Sequence, residues 1–371
     1  MAIVAAFFVV VFGFCSTAWA HQPARWKVEG ANFARVSTGA QTMKNGAVTG
    51  QGKMKFKLLY ASERLPEEAQ KVLKSAHGGF TVDNRRGKGE AYFALPGAGI
   101  LQISADLKTI RLVNTPAEMK NVNLHNTTVW YREGQPYLTF PANDAGKVFT
   151  TTLDGALVNT LDAPTGKENF NQPAVNEYFG RNEKFAPTDV DYLDGLLYVT
   201  TGYSKLDFVL TARVASINPF KAFWNALAFG GRGNGPGQFG TGHGVTVPPG
   251  KKRIDVADRP NSEIDRFTPQ GVYLSTLKLP VGSFPCDIHY LDGYAVVGCL
   301  HGPDRTKGAP IYVLKDDAVI STIMPKEDLG LERFQHVHNA VFRKIGRKWY
   351  ILAQAWNPGD FAVLEQVAEN R

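Results

Sequence analysis

His125, His243 and His338 share one local setting. They lie in Leu124-His125-Asn126, Gly242-His243-Gly244 and Val337-His338-Asn339, each at the start of a run with strand alternation. Three of the chain's 8 histidines thus occupy one column of a repeated unit. The other members of the column are Thr188, in Pro187-Thr188-Asp189, and Cys286, in Pro285-Cys286-Asp287. A lone histidine in a strand is ordinarily a hydrogen-bonded core or surface residue. Three in one column point instead to imidazoles converging on one divalent metal ion, with a fourth coordination position open as in catalytic three-histidine sites. Neutral imidazole is the binding form, so occupancy is expected to fall at acid pH. Zinc is the default ion, although other divalent ions also accept three nitrogens. A structural calcium is left open.

The unit that carries the column is a pair of strands joined by a tight turn. Its clearest copies are Pro187-Thr188-Asp189-Val190-Asp191-Tyr192-Leu193-Asp194-Gly195 and Pro285-Cys286-Asp287-Ile288-His289-Tyr290-Leu291-Asp292-Gly293. Each alternates like a strand, ends in an Asp-Gly turn and is followed by a second strand. The same unit begins at Leu124, Gly242 and Val337, and a degenerate copy falls at about 90–118, around Ala91-Tyr92-Phe93 and Ile100-Leu101-Gln102-Ile103. Repeats of roughly 40 to 50 residues, each two hairpins long, predict an all-β, six-bladed β-propeller. One blade cannot bury its own faces, so stacking around an axis is the stable solution. With the degenerate copy as blade one, the histidines fall on blades two, four and six. The first strand of a blade lies nearest the axis, so the three rings are expected to meet there.

The fourth copy is the most regular. Gly235-Pro236-Gly237-Gln238-Phe239, Gly244-Val245-Thr246-Val247, Asp255-Val256-Ala257-Asp258, Ser262-Glu263-Ile264-Asp265-Arg266-Phe267 and Pro269-Gln270-Gly271 resemble the NHL repeat, which builds propellers.

A hairpin brings the end of its second strand back beside the start of its first. Arg259, in Ala257-Asp258-Arg259-Pro260, is therefore expected near His243, and Tyr203, in Gly202-Tyr203-Ser204, near Thr188 and Asp189. A tyrosine beside a cation and a metal could have its pKa lowered and act as a base. Alone, each could equally be a structural arginine and a rim tyrosine. His336 alternates with His338, which turns its side chain to the other face; His289 and His301 are expected to be structural.

Together these residues resemble the peptidyl-hydroxyglycine lyase (peptidylamidoglycolate lyase) propeller of the peptidylglycine α-amidating enzymes, over roughly residues 90–370. The resemblance implies His125, His243 and His338 as zinc ligands, Tyr203 as base and Arg259 as its electrostatic partner. It also implies cleavage of the C–N bond of an N-acyl carbinolamine. Thr188, Asp189 and His336 are counted as candidate substrate contacts, His336 standing where that family has a methionine before the last ligand. The family's further arginine on an early blade has no counterpart in the copy near 90–118, and the chain is too short for a monooxygenase domain. A different substrate for the same site is therefore allowed.

Composition agrees with short strands and turns: Gly 37, Pro 21 and 11% aromatic residues. Long amphipathic helices are scarce, which argues against a bundle or a doubly wound α/β fold. The apolar run Ile3–Phe14 followed by Ala18-Trp19-Ala20 reads as a signal peptide over 1–20, short for a bilayer span of about 20 residues. Residues 21–89 are expected to form an N-terminal extension with one short helix around Pro66–Lys74, and 90–371 the propeller. The product would be periplasmic or secreted, with no membrane span left. In that compartment Cys286 and Cys299 could form a disulfide, with Cys286 as a metal ligand the alternative. The net charge of +7 is scattered, which suits a solvated surface rather than nucleic acid. The expected partner is a small-molecule or peptide-amide substrate, with the propeller face available to a protein. The rival functions are a non-catalytic NHL propeller that binds a protein or cell-wall ligand, and a metal-dependent lactonase. The latter generally needs axial carboxylates, for which Asp189 and Asp287 are the candidates.

Overall fold

The computed structural model describes Lys44 and residues 46–367. The signal sequence expected over 1–20 lies outside the described residues. The described chain forms six antiparallel sheets, the blades of a β-propeller. Blade one comprises Thr81–Val82, Ala91–Leu95, Gly99–Ile103 and Ile110–Leu112; blade two comprises Thr128–Arg132, Gln135–Ala142, Lys147–Thr151 and Leu157–Asp162. Blade three is Asp189–Leu193, Leu196–Thr200, Phe208–Ile217 and Phe220–Gly230, and blade four is Gly242–Thr246, Ile254–Asp258, Glu263–Phe267 and Tyr273–Lys278. Blade five is Pro285–Leu291, Tyr294–Cys299, Ile311–Lys315 and Ala318–Ile323. The last blade begins with Val337–Ile345, Lys348–Ala355 and Asp360–Gln366. In every blade the first strands of both neighbours pack against its own first strand, so these six strands form a closed inner ring.

The Asp-Gly turns seen in the sequence do close hairpins. Asp194 and Gly195 take φ of 49° and 91°, and Asp292 and Gly293 take 47° and 78°. Two successive left-handed residues match the twist of the flanking strands, which is why Asp-Gly recurs there. The strands they join place equivalent apolar residues in the interblade cores: Val190 and Ile288, Val199 and Val297, all buried.

The propeller begins earlier than the expected boundary at 90. Met54–Ala61 pairs with Asp360–Gln366, and Thr49–Gln51 pairs with Met54–Ala61, so chain-start strands complete the sixth blade. Thr81–Val82 opens blade one. The physical reason is the sheet edge: Asp360–Gln366 would otherwise present an unpaired row of backbone groups, and a ring is secured when both chain ends share one sheet. Met54 and Phe56 alternate with exposed Lys55 and Lys57, burying their apolar face against Ile311, Phe342 and Leu364.

The short helix expected near Pro66 spans Glu67–Val72, with Glu67 and Glu68 in its first turn. Acidic residues there complement the helix dipole. Ala69, Leu73 and Ala76 pack against Phe80, Phe93 and Phe361, which anchors the segment leading to His77, Gly78 and Gly79. Among the described residues, no helix is long and apolar enough to cross a membrane.

Candidate metal centre

The inner ring brings the three column histidines together. Ring centroids of His125 and His243 lie 4.8 Å apart, those of His125 and His338 4.5 Å, and those of His243 and His338 4.9 Å. All three are fully buried. Each Nδ1 meets a backbone carbonyl of the next blade: His125 that of Thr188 at 2.5 Å, His243 that of Cys286 at 2.7 Å, and His338 that of Gly78 at 2.9 Å. A carbonyl only accepts, so Nδ1 carries the proton and Nε2 is left unprotonated. The even blades thus supply imidazoles and the odd blades the carbonyls that orient them. Thr188 and Cys286 are the column residues of blades three and five, and the same bond identifies Gly78 as that of blade one.

Burial pushes all three imidazoles well below the ordinary histidine pKa, with the Arg259 charge and the neighbouring rings acting in the same direction. The rings are therefore neutral, the form a metal needs. The Nε2 atoms of His125 and His338 are buried without a hydrogen-bond partner. Leaving such lone pairs unmatched costs about 1–3 kcal/mol each. Oriented tautomers and the orphaned inward nitrogens of His125 and His338 suit a divalent metal, which His125, His243 and His338 would hold; His243 Nε2 faces Tyr203 Oη at 3.1 Å.

Tyr203 and Arg259 also reach this cluster, Tyr203 at His243 rather than at Thr188 or Asp189. Tyr203 Oη lies 3.1 Å from His243 Nε2 and accepts from Arg259 Nη1 at 2.9 Å. Arg259 is buried, and its Nη2 contacts Cys286 Sγ at 3.1 Å. The Tyr203 pKa, however, moves opposite to the expected direction: burial pushes the phenol up, and Arg259 opposes this without outweighing it.

The candidate substrate contacts are placed less directly. Thr188 is buried; its carbonyl holds His125 and its hydroxyl donates to Thr200 Oγ1 at 2.9 Å. Asp189 is also buried and accepts from the backbone N–H of Val190 and Val245 at 2.8 and 2.9 Å. His336 turns away from His338: its Nδ1 meets the Leu300 carbonyl at 3.0 Å, and its ring packs on His301 and Trp356. His289 Nδ1 accepts from the Phe342 N–H at 3.2 Å. Asp287 accepts from Thr246 Oγ1, the Ile288 N–H and Asn339 Nδ2.

Cys286 and Cys299 are free buried thiols, so the disulfide considered from their spacing is not formed here. A bulge separates the pairs on either side of Cys286, and it is Pro285 that faces Cys299. The Cys286 sulfur is turned to Arg259 and the Val337 carbonyl instead.

His77 is a site residue that the repeat did not reveal. Its ring lies 4.6 Å from those of both His125 and His338, and 5.1 Å from Trp356. Donor atoms of His77, His125 and His338 all fall within 4.8 Å of one another. Burial, with help from Arg259, lowers its pKa to about 3. The available signal was the run His77-Gly78-Gly79, which leads into the first inner strand. That strand is only 2 residues long, too short to align with the other copies.

Fold and cluster together define a six-bladed β-propeller with histidines gathered on its axis. No protein-family model matches the chain, and no curated protein matches it. Solved structures share its architecture. A catalytically inactive virginiamycin B lyase from Staphylococcus aureus with quinupristin superposes at TM-score 0.51 and 13% identity, covering 84% of this chain and 100% of that one. A streptogramin B lyase gives 0.50 and 15%, covering 85% and 99%. A protein provisionally described as a gluconolactonase gives 0.49 and 12%, covering 88% and 94%. At these identities the likeness to the two lyase structures is one of fold alone.

Proposed function

We propose that this chain is an exported, metal-dependent lyase that cleaves the C–N bond of an α-hydroxylated amide. The observation that supports the reading is Tyr203 Oη, held between His243 Nε2 at 3.1 Å and Arg259 Nη1 at 2.9 Å. A non-catalytic scaffold has no need of a half-buried phenol and a buried guanidinium against three oriented imidazoles.

A divalent metal held by His125, His243 and His338, with zinc the first candidate, would supply Lewis acidity toward a substrate oxygen. Tyr203 Oη would take the proton of the substrate hydroxyl. As the carbinol oxygen becomes a carbonyl, the C–N electron pair passes to nitrogen, and the same proton goes to the leaving amide. The products are a primary amide and an aldehyde. Arg259 would hold the phenolate by charge and by its Nη1–H. Because burial outweighs Arg259 at Tyr203, ionisation calls for further positive charge, and the imidazole cluster is where it would reside.

The test joins metal content to product release. Purified protein should carry about one equivalent of transition metal and release glyoxylate from an N-acyl-α-hydroxyglycine. Tyr203→Phe should slow turnover by roughly 10²-fold or more, the scale for a positioned acid–base group. Absence of glyoxylate release by the metal-loaded protein, with lactone hydrolysis in its place, would sink the lyase assignment.

A further inference from the structure

We propose that His77 is a fourth nitrogen donor of the metal centre, which makes the resting site a closed four-imidazole set. The inference rests on the three-histidine metal site of the preceding reading and adds the group that would occupy its open position.

The chain around His77 is built for close approach to the axis. Gly78 carries the carbonyl that fixes His338 at 2.9 Å. A Cβ on Gly78 would come within 2.8 Å of the His125 carbonyl oxygen, and one on Gly79 within 2.5 Å of Asn126 Oδ1. Neither position has room for a side chain, so the backbone can press against the inner strands of blades two and six. That contact delivers the ring of the preceding residue to the cluster. His77 lies edge-on to His125 and His338, at 4.6 Å from each. Its Nε2 is 3.4 Å from Tyr203 Oη, the same hydroxyl that lies 3.1 Å from His243 Nε2. The Nε2 of His77 therefore faces the space enclosed by the other three rings.

The outer nitrogen has a side-chain partner that can be turned to support it. His77 Nδ1 lies 2.8 Å from Asn123 Nδ2, which also donates to Asn143 Oδ1 at 3.0 Å, while Asn123 Oδ1 is buried without a partner. An amide can present its oxygen or its NH2, and the two are exchanged by rotation. With the Asn123 and Asn143 amides both turned, Asn123 Oδ1 accepts from Asn143 Nδ2 and from His77 Nδ1–H, and the Nε2 lone pair points inward, the tautomer the other three histidines already have. Asn123 would then do for His77 what the carbonyls of Thr188, Cys286 and Gly78 do for His125, His243 and His338.

His77 differs from the other three in one respect. It is only partly buried and sits on the approach to blade one rather than at the head of an inner strand. Four nitrogens complete a tetrahedral zinc shell. Substrate would then enter by withdrawing His77, the donor least fixed by the inner ring.

The test uses the full protein loaded with Co(II), as wild type, His77→Ala, His77→Gln and His243→Ala. Circular dichroism establishes which variants are folded. Loss of a donor should weaken metal affinity by roughly tenfold or more in a chelator competition. It should also change the Co(II) visible bands as water replaces an imidazole. Co(II) bands unchanged in either folded His77 variant would overturn the proposal, whatever happens to turnover. His243→Ala tests the parent site separately: wild-type affinity in that variant would remove His243 from the site and leave His77 standing. A wild-type protein that takes up neither Co(II) nor Zn(II) would overturn both.

Discussion

Arg259 donates from Nη1 to Tyr203 Oη over 2.9 Å while its Nη2 reaches Cys286 Sγ at 3.1 Å. One buried guanidinium therefore joins the loops after the second strands of blades three and four to the inner strand of blade five. A planar fork can serve both partners at once, whereas an ammonium on a flexible stem cannot. Arg259→Lys is expected to lower kcat by roughly 10²-fold, the usual consequence of losing a preorganised donor. Metal content should be unchanged, since no imidazole depends on Arg259 for its orientation. Equal loss of metal and turnover would show that Arg259 supports the cluster rather than Tyr203.

Metal binding should be visible as stability. An ion that binds only the folded chain adds about 2.7 kcal/mol at a free concentration 100 times its Kd. Zinc should therefore raise the Tm of the metal-stripped protein, and His125→Ala should cut the increment by about half or more. Differential scanning calorimetry with and without zinc checks this, and an equal increment in the variant would exclude His125 as a ligand.

Gly244 tests whether carbonyl orientation matters. A Cβ there would lie 2.5 Å from the Cys286 carbonyl oxygen, the acceptor for His243 Nδ1, and 2.7 Å from Asp287 Cα. Both are backbone atoms, so the strands must shift. Gly244→Ala is expected to reduce metal affinity by about 10–100-fold although no ligand is altered. Isothermal titration would report it, and wild-type affinity would show that the inner ring yields without turning His243.

Ring closure predicts a large cost at a residue far from the site in sequence. Phe56 is fully buried against the sixth blade. Phe56→Ala should lose about 3–5 kcal/mol in denaturant unfolding. A loss below about 1 kcal/mol, the level of a surface substitution, would mean that the first long strand adds little to closure.

Two half-buried groups should tilt the pH dependence of stability in opposite directions. Burial lowers His289 to about 4, so between there and the unfolded value near 6.5 the unfolded chain binds more protons. Its contribution is present above that window and is lost as pH falls through it. Burial raises Asp191 to about 7. Between the unfolded carboxylate value near 3.9 and 7 it is the folded chain that binds more protons, so stability falls as pH rises. His289→Gln should therefore flatten the acid-side loss, and Asp191→Asn should make the rise with pH steeper. Chemical denaturation between pH 4 and 7 measures both slopes.

Most of the propeller and half of its site could be read in the residues alone, because that information is periodic and local. Strand alternation, the Asp194-Gly195 and Asp292-Gly293 turns and a column holding His125, His243 and His338 repeat at intervals set by backbone geometry. The hairpin rule likewise places Tyr203 and Arg259 beside that column. Other features depend on contacts between segments with no local signature. Met54–Ala61 joins the last blade because an open sheet edge needs a partner, and nothing within the strand names Asp360–Gln366 as that partner. His77 belongs to a blade whose inner strand is 2 residues long, so its place appears only when Gly78 is seen to hold His338. The direction of the Tyr203 pKa was likewise decided by packing: charge near a phenol is legible in a repeat, but the depth of its burial is not.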